Sequence, residues 1–208
     1  AESGPVVACH EDTKSPFDEL RAGACGEPVE PCLLRVLRTF ELGSPQPPVG
    51  PTNMVSKTSL LPLVRAFDWN AVDAGLKEKP QLVKHRDERG RNWLHVCCAT
   101  SLDGRDPKSS IRMADVLLAH GIDLRDHAFT EGRWRATPVW YCVSFGRNLN
   151  LAEHLMKLGA SPQYSLYAAA YNRDTDAIRL LVRYGADIEE PSGPGETPFL
   201  GAIGWSHF

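Results

Sequence analysis

Long hydrophobic runs and a strong charge imbalance are both missing from this 208-residue sequence. No apolar stretch approaches the roughly 20 residues that a membrane-spanning helix needs, which excludes that kind of anchor. The net charge of −3 is too small to indicate a nucleic-acid or membrane-surface partner. The composition, 42% hydrophobic and 24% charged, is typical of a soluble globular protein with one or two domains.

Cysteines at metal-ligand spacing are missing, which excludes the common structural metal sites. None of the six cysteines forms a C-x-x-C pair or has zinc-ligand spacing with histidine. Unpaired cysteines in a protein core usually behave as small apolar groups, and we predict such reduced thiols at Cys97, Cys98 and Cys142. Unpaired thiols and the lack of a visible secretory signal together predict a cytoplasmic location.

Motifs for catalysis are also missing. The sequence contains no phosphate-binding loop, no G-x-S-x-G and no H-E-x-x-H. The adjacent Cys9 and His10 lie in a segment that does not look folded. Five further histidines share no metal spacing: His85, His120, His127, His154 and His207. We therefore predict a protein that is not an enzyme, with no cofactor and no bound metal.

Residues 1–53 form a leader rich in proline and glycine, which interrupt regular structure. We predict that the leader is disordered, apart from one helical candidate at Cys32–Leu42. Its first 50 residues carry a net charge of −4, so the rest of the chain is close to +1. The run from Ser15 to Pro31 resembles the translation of a palindromic repeat that is scattered through bacterial genomes, which implies a bacterial source.

The most regular stretch is Tyr164–Glu190, which reads as a short helix, a polar turn, a second helix and a glycine stop. Small apolar residues from Leu166 to Ala170 fill the first helix, and Asn172–Asp174 break it. The second helix has a wide apolar side, and Gly185 follows it where a residue with positive φ is needed. Neither helix is long enough to be stable alone, so the pair must stack on similar pairs.

This stretch resembles an ankyrin repeat. Leu166–Ala170 stands where the family has Leu-His-x-Ala-Ala, and Leu180–Asp187 is close to the family's second-helix ending. The first-helix anchors recur 45, 27 and 33 residues apart, an average of 35, which is near the roughly 33 residues of ankyrin arrays. These anchors are Leu94, Val139, Leu166 and Phe199.

The Thr-Pro pair of the family recurs at Thr137-Pro138 and at Thr197-Pro198, whereas Asn92 and Trp93 replace it in an earlier unit. In the family, the Thr hydroxyl and a nearby His ring tie the turn to the start of the first helix. The resemblance therefore implies that Asn92 replaces the hydroxyl's hydrogen bond and that His95 has a structural role.

The resemblance implies an all-α fold, an ankyrin-repeat solenoid of about four and a half helix-turn-helix repeats with β-hairpin arms over residues 54–208. Its units fall near 54–89, 90–127, 128–161 and 162–190, and an incomplete unit occupies 191–208. Because that last unit lacks a second helix to cover its apolar side chains, we expect the chain to be a fragment of a longer parent.

Within the first two units, the sequence predicts a helix capped by Thr58 or Ser59 and a second helix over Ala71–Glu78. An extended arm is expected over Gln81–Arg91, and a loop insertion over Thr100–Ser109.

Two arms of the predicted array are rich in arginine and the second also contains a tryptophan, and these residue types often dominate interface energy. Stacking would bring Arg89 and Arg91 close to Arg133 and Arg135. The candidate partner-binding residues are Arg89, Arg91, Arg133, Trp134, Arg135 and Trp140. Trp140 stands at a first-helix start, so it either fills space between units or faces the concave groove. Such a surface favours an acidic protein partner; a solvated charged rim is the alternative.

The leading functional hypothesis is a non-enzymatic protein-protein interaction scaffold. The first alternative is the recognition module of a larger, truncated enzyme or effector protein. The second is a small-molecule binder in a groove between repeats, for which the sequence shows no convergent polar set. No nucleic acid and no membrane are expected as partners.

Overall fold

The computed structural model describes residues 55–131, 133–190 and 197–199. All of them belong to one cluster of backbone contacts, residues 52–208. The predicted leader and most of the predicted fifth unit lie outside the described residues, so neither the leader nor the final incomplete unit is described further.

The described part of the chain is all-α apart from one very short strand pair. Its helices are α1 (Lys57–Ala66), α2 (Trp69–Glu78), α3 (Trp93–Ala99), α4 (Pro107–Ala119), α5 (Pro138–Tyr141), α6 (Leu149–Lys157), α7 (Leu166–Tyr171) and α8 (Thr175–Arg183). The strands β1 (Thr130–Glu131) and β2 (Trp134–Arg135) pair antiparallel. The longest helix, α4, has 13 residues, and no helix in the described ranges could cross a bilayer.

The helices pack as four consecutive pairs, α1 with α2, α3 with α4, α5 with α6, and α7 with α8. The second helices also contact one another in chain order, and so do the first helices, although α7 packs mainly on the turn Cys142–Gly146 that follows α5 and not on α5 itself. The result is two layers of helices in which each pair packs mainly against its neighbours. Because helices of this length are marginal in isolation, their stability comes from burial between adjacent pairs.

Two predicted helix starts are corrected by capping residues that lie further upstream. Ser56, not Thr58 or Ser59, caps α1, and Ser59 completes a reciprocal capping box with it. Asp68 accepts a hydrogen bond from the Ala71 N–H, so α2 begins at Trp69 and not at Ala71. An acidic or hydroxyl side chain at this position satisfies a backbone donor that would otherwise lack a partner.

The predicted caps of two other first helices are confirmed. The Asn92 side chain accepts from the His95 N–H at 3.0 Å, and the Thr137 hydroxyl accepts from the Trp140 N–H at 3.2 Å. The glycine stop after α8 is confirmed as well, since Gly185 has φ +86°. The predicted insertion is shorter than expected, because Asp106 caps α4 and the helix already begins at Pro107.

The first arm is not the extended segment that the sequence predicted. Residues Pro80–Lys84 form a 3-10 helix, and the indole N–H of Trp93 donates to the Leu82 carbonyl at 2.8 Å. The arm then closes in a tight turn in which the N–H of Asp87 donates to the Arg91 carbonyl and Gly90 has φ +74°. Paired strands occur only in the second arm, at β1 and β2, among the residues that the structure describes.

The helix α5 continues into a π-helical turn, Cys142–Gly146, which the sequence did not predict. Two carbonyls of this turn, those of Val143 and Ser144, accept from the side-chain amide of Asn172 at 3.3 and 3.2 Å. A Cβ at Gly146 would lie 2.1 Å from the Cys98 carbonyl oxygen. Gly146 therefore permits a close approach of the turn to α3 that no larger residue would allow.

Candidate binding surface

A cleft opens between α1 and the turn of the first arm, residues 85–91. We call it the first-arm cleft, and its volume is about 360 Å³. This lies at the lower end of the range of volumes that ligand sites in proteins span. The cleft has an apolar floor and a charged rim, and Thr58 and His85 also line it.

The floor of the first-arm cleft is apolar. It is formed by Leu61 from α1 and by Trp93 and Val96 from α3. The Trp93 ring is nearly fully buried and lies 4.7 Å from the His85 ring, centroid to centroid. Its indole N–H is already bonded to the arm and its relative exposure is 1%, so Trp93 supports the floor from below and leaves only a ring edge, not a donor, to the cleft.

The rim of the first-arm cleft has more cations than anions. Its five basic side chains are Lys57, Arg65, Arg86, Arg89 and Arg91, and its two acidic side chains are Asp87 and Glu88. The excess of positive charge over an apolar floor resembles the pattern of a recognition site, where polar groups orient a ligand that the floor desolvates.

Two of the five rim cations hold the arm in shape. Arg91 forms an ion pair with Asp87 at 2.7 Å, and Arg86 bonds both the Gly90 carbonyl, at 2.8 Å, and Asp126. The hydrogen bonds from Arg91 lower the pKa of Asp87 even though partial burial acts in the opposite direction. These two arginines therefore have only part of their hydrogen-bonding capacity left for a ligand.

Two other rim cations project from α1. Lys57 and Arg65 are exposed, and their side chains form no hydrogen bond or ion pair with any residue in the described ranges. Partial burial lowers the pKa of His85, and the nearby ammonium of Lys57 lowers it further. Among the groups of the cleft, Lys57 and Arg65 are therefore best placed to accept an anionic partner.

The first arm is fastened to the second by a small polar network. Asp126 receives a hydrogen bond from the Asn92 amide at 2.9 Å as well as the contact from Arg86. Gly90 packs so tightly on the second arm that a Cβ there would lie 2.2 Å from the Ala128 carbonyl oxygen. Contacts with the second arm therefore fix the position of the first arm, which forms the wall of the first-arm cleft.

Trp134 and Trp140, two members of the predicted patch, are not exposed, and Trp140 instead fills space, the first of its two predicted roles. Both side chains are fully buried, with no exposed area. The Trp134 indole N–H donates to the Tyr164 carbonyl at 3.1 Å, and its ring meets those of Phe129 and Trp140 at 5.3 and 4.9 Å. The short β1–β2 pairing turns Trp134 inward, so the second arm fills its own groove.

The four arginines of the predicted patch divide between the two arms. Arg89 and Arg91 line the first-arm cleft, whereas Arg133 and Arg135 are exposed on the second arm and do not line that cleft. Sequence reasoning missed Lys57, Leu61 and Arg65. The signal was present, because residues four apart lie on the same face of a helix and these three are at positions i, i+4 and i+8 of α1.

The buried histidine and thiols serve the packing. The His95 ring nitrogen Nδ1 lies 3.3 Å from the Asn92 backbone nitrogen, and the ring meets Tyr141 edge-on at 5.4 Å. Burial lowers the pKa of His95 to about 4, against the opposing influence of the Asp126 carboxylate. Burial also raises the pKa of the Cys97 and Cys98 thiols, so these remain protonated and poorly reactive.

No cluster of three or more metal-ligating side chains occurs within the described ranges. A scan against protein-family models found no match to this chain, and a search of curated proteins found no similar sequence.

Proposed function

We propose that this chain is a non-enzymatic protein-binding scaffold and that its helix pairs are the repeats of an ankyrin-type solenoid. Three features support the solenoid: neighbour-to-neighbour packing in two layers, side-chain caps at Asn92 and Thr137, and glycine stops at Gly121, Gly159 and Gly185. A row of short helix pairs is a suitable base for binding, since it presents an extended surface on rigid elements.

The observation that carries the binding function is the first-arm cleft. Its cationic rim surrounds an apolar floor of Leu61, Trp93 and Val96, with Trp93 held in place by the arm. Interfaces gain most of their energy from a few aromatic, aliphatic and arginine side chains in such surroundings. The side chains with the greatest catalytic potential, His95 and the buried thiols, are instead used in packing.

The proposal is tested by affinity capture followed by reconstitution. The purified chain is immobilised beside a matched Trp134→Asp variant, which places an unpaired charge in the core and should not fold. We expect a discrete protein from native lysate to be retained by the folded chain alone. After purification, that protein should rebind with one-to-one stoichiometry in calorimetry. If no protein is enriched over the unfolded control, the scaffold function is wrong.

A further inference from the structure

The two cations of the first-arm cleft that pair with no residue in the described ranges, Lys57 and Arg65, have a regular spacing. Lys57 and Arg65 are eight residues apart on α1, which places them about 12 Å apart along the helix. Leu61 lies midway between them on the same face and belongs to the apolar floor. The cleft thus presents a cation, an apolar contact and a second cation in a line.

An extended peptide has a matching repeat. Its residues i, i+2 and i+4 point to one side, and the outer two are separated by about 13 Å. A helix, in contrast, is about 10–12 Å in diameter with its side chains, so it could enter this open cleft along one side only. The geometry therefore favours an extended segment that presents three alternate side chains.

The charges of the cleft favour a peptide over a nucleic acid. Asp87 and Glu88 stand on the same rim and would repel the continuous phosphate charge of a DNA or RNA strand. A peptide can place carboxylates opposite the two cations only and an apolar side chain over the floor. A free inorganic anion could pair with one cation but would leave Leu61 and Trp93 unused.

Resting on the proposed protein-binding function, we infer that the first-arm cleft binds an extended acidic segment of the partner in which two carboxylate side chains flank one apolar side chain. The carboxylates pair with Lys57 and Arg65, and the apolar side chain covers Leu61 beside the edge of Trp93. Arg89 is close enough on the rim to strengthen the contact but is not required for the spacing.

The contributions of the three peptide side chains should be unequal. Ion pairs at a solvent-exposed rim are weak, so each carboxylate should change the affinity by only about threefold. The apolar anchor loses its water on binding, so replacing it by Ala should weaken binding by about tenfold. Added salt should weaken binding through the carboxylates and leave the effect of the anchor intact.

The test uses the full chain and a fluorescein-labelled peptide with the core Glu-Ser-Leu-Ser-Glu between Gly-Ser flanks. Anisotropy is measured for the wild type, for Lys57→Glu with Arg65→Glu, and for a matched control, Lys108→Glu with Arg183→Glu. Both double variants change the net charge equally, and all four side chains are exposed. Circular dichroism confirms that each variant is folded.

We expect the Lys57 and Arg65 variant to lose about tenfold or more in affinity and the control to stay within about twofold of the wild type. Equal losses of affinity in both variants would mean that only the net charge matters, and the proposed site would be wrong. Equal binding of peptides with Ala or Leu at the centre would also overturn the site, as would tighter binding of single-stranded RNA or inorganic phosphate.

Failure of this inference can be told apart from failure of the scaffold function. If a protein partner is captured from lysate equally well by the wild type and by the Lys57 and Arg65 variant, the scaffold function stands and the acidic segment in this cleft is wrong. If neither form captures a protein, the scaffold function is wrong.

Discussion

In the first arm, Trp93 lies beneath residues 85–91, and together with Leu61 and Val96 it forms the floor of an open cleft. In the second arm, Trp134 comes from the arm itself, and its ring turns inward against Phe129 and Trp140. The first arm consequently leaves room above an apolar surface, whereas the second arm fills that room with its own side chain. The difference depends on whether the tryptophan comes from the neighbouring helix, as Trp93 does, or from the arm itself, as Trp134 does.

This contrast shows that a tryptophan in an arm is not by itself evidence of an interface. A tryptophan among arginines is a frequent sign of an interface, but Trp134 has no exposed area to offer a partner. The exposed arginines beside it, Arg133 and Arg135, therefore surround a closed surface. At the site proposed for binding, by contrast, the arm is polar and its neighbours α1 and α3 supply the apolar floor.

The largest effect on stability is expected from removing the tryptophan ring that fills the second arm. Trp134→Ala should lower the free energy of unfolding by about 3–5 kcal/mol, because it leaves a large cavity between Phe129, Trp140 and the next helix pair. The matched control Arg133→Ala should change it by less than about 0.5 kcal/mol, since Arg133 is exposed. Urea denaturation provides both values. A loss below about 1 kcal/mol for Trp134→Ala would mean that the second arm is not filled by this ring.

The free energy of unfolding should depend on pH through His95, which lies in α3, the helix that follows the first arm. His95 in α3 has a folded pKa of about 4, below its ordinary value of 6.5. Above pH 6.5 both states are neutral at this site. As the pH falls from 6.5 to 4, the unfolded chain takes up the proton first, so about 3 kcal/mol of stability should be lost.

Urea denaturation across that pH window measures the loss, and His95→Gln provides the reference, because Gln can also complete a capping box. Carboxylates titrate in both proteins, so the difference between the two curves isolates His95. Trp140, which follows Thr137 as His95 follows Asn92, cannot titrate. Parallel curves for the wild type and His95→Gln would contradict the burial of a neutral imidazole.

A smaller effect is expected where the two arms meet. Gly90→Ala should cost about 2 kcal/mol, because its Cβ would clash with the Ala128 carbonyl and φ is positive. Gly121→Ala serves as the control, since φ is also positive there but no atom lies within 4 Å of the added Cβ. It should cost about 1 kcal/mol from backbone strain alone. Thermal denaturation that ranks the two variants equally would argue against close packing of the arms.

The smallest effect concerns the two first-helix caps. Asn92→Ala and Thr137→Ala should each cost about 1 kcal/mol, because each leaves a backbone N–H without its side-chain acceptor. Asn92→Ser should restore the cap but not the contact with Asp126, which lies 2.9 Å from the Asn92 amide. Urea denaturation of Asn92→Ser should therefore give a stability between those of the wild type and Asn92→Ala. A value equal to that of Asn92→Ala would deny the capping role.

Features that depend on a few neighbouring residues could be predicted from the sequence. The caps at Asn92 and Thr137 and the stop at Gly185 each involve hydrogen bonds or backbone angles within one turn. The all-α class was implied by the resemblance of several such segments to one helical repeat. The buried thiols of Cys97 and Cys98 followed from the same patterns.

Features set by distant residues could not be predicted in this way. Trp134 is turned inward by a strand pair of two residues and by the Tyr164 carbonyl, 30 positions later in the chain. The side-chain amide of Asn172 donates a hydrogen bond to a carbonyl of the π-helical turn, and Gly146 lets that turn lie close to α3. For the same reason, the first-arm cleft joins residues of α1 to an arm more than 20 positions away.

The most direct test of the contrast between the arms follows the tryptophan indole N–H signals by NMR while the Glu-Ser-Leu-Ser-Glu peptide is added to the isotope-labelled chain. Signals are assigned by single Trp→Phe substitutions. The Trp93 signal should shift in a saturable manner and the Trp134 signal should stay in place, because only the first arm is open. A saturable shift of Trp134 without a shift of Trp93 would contradict the account.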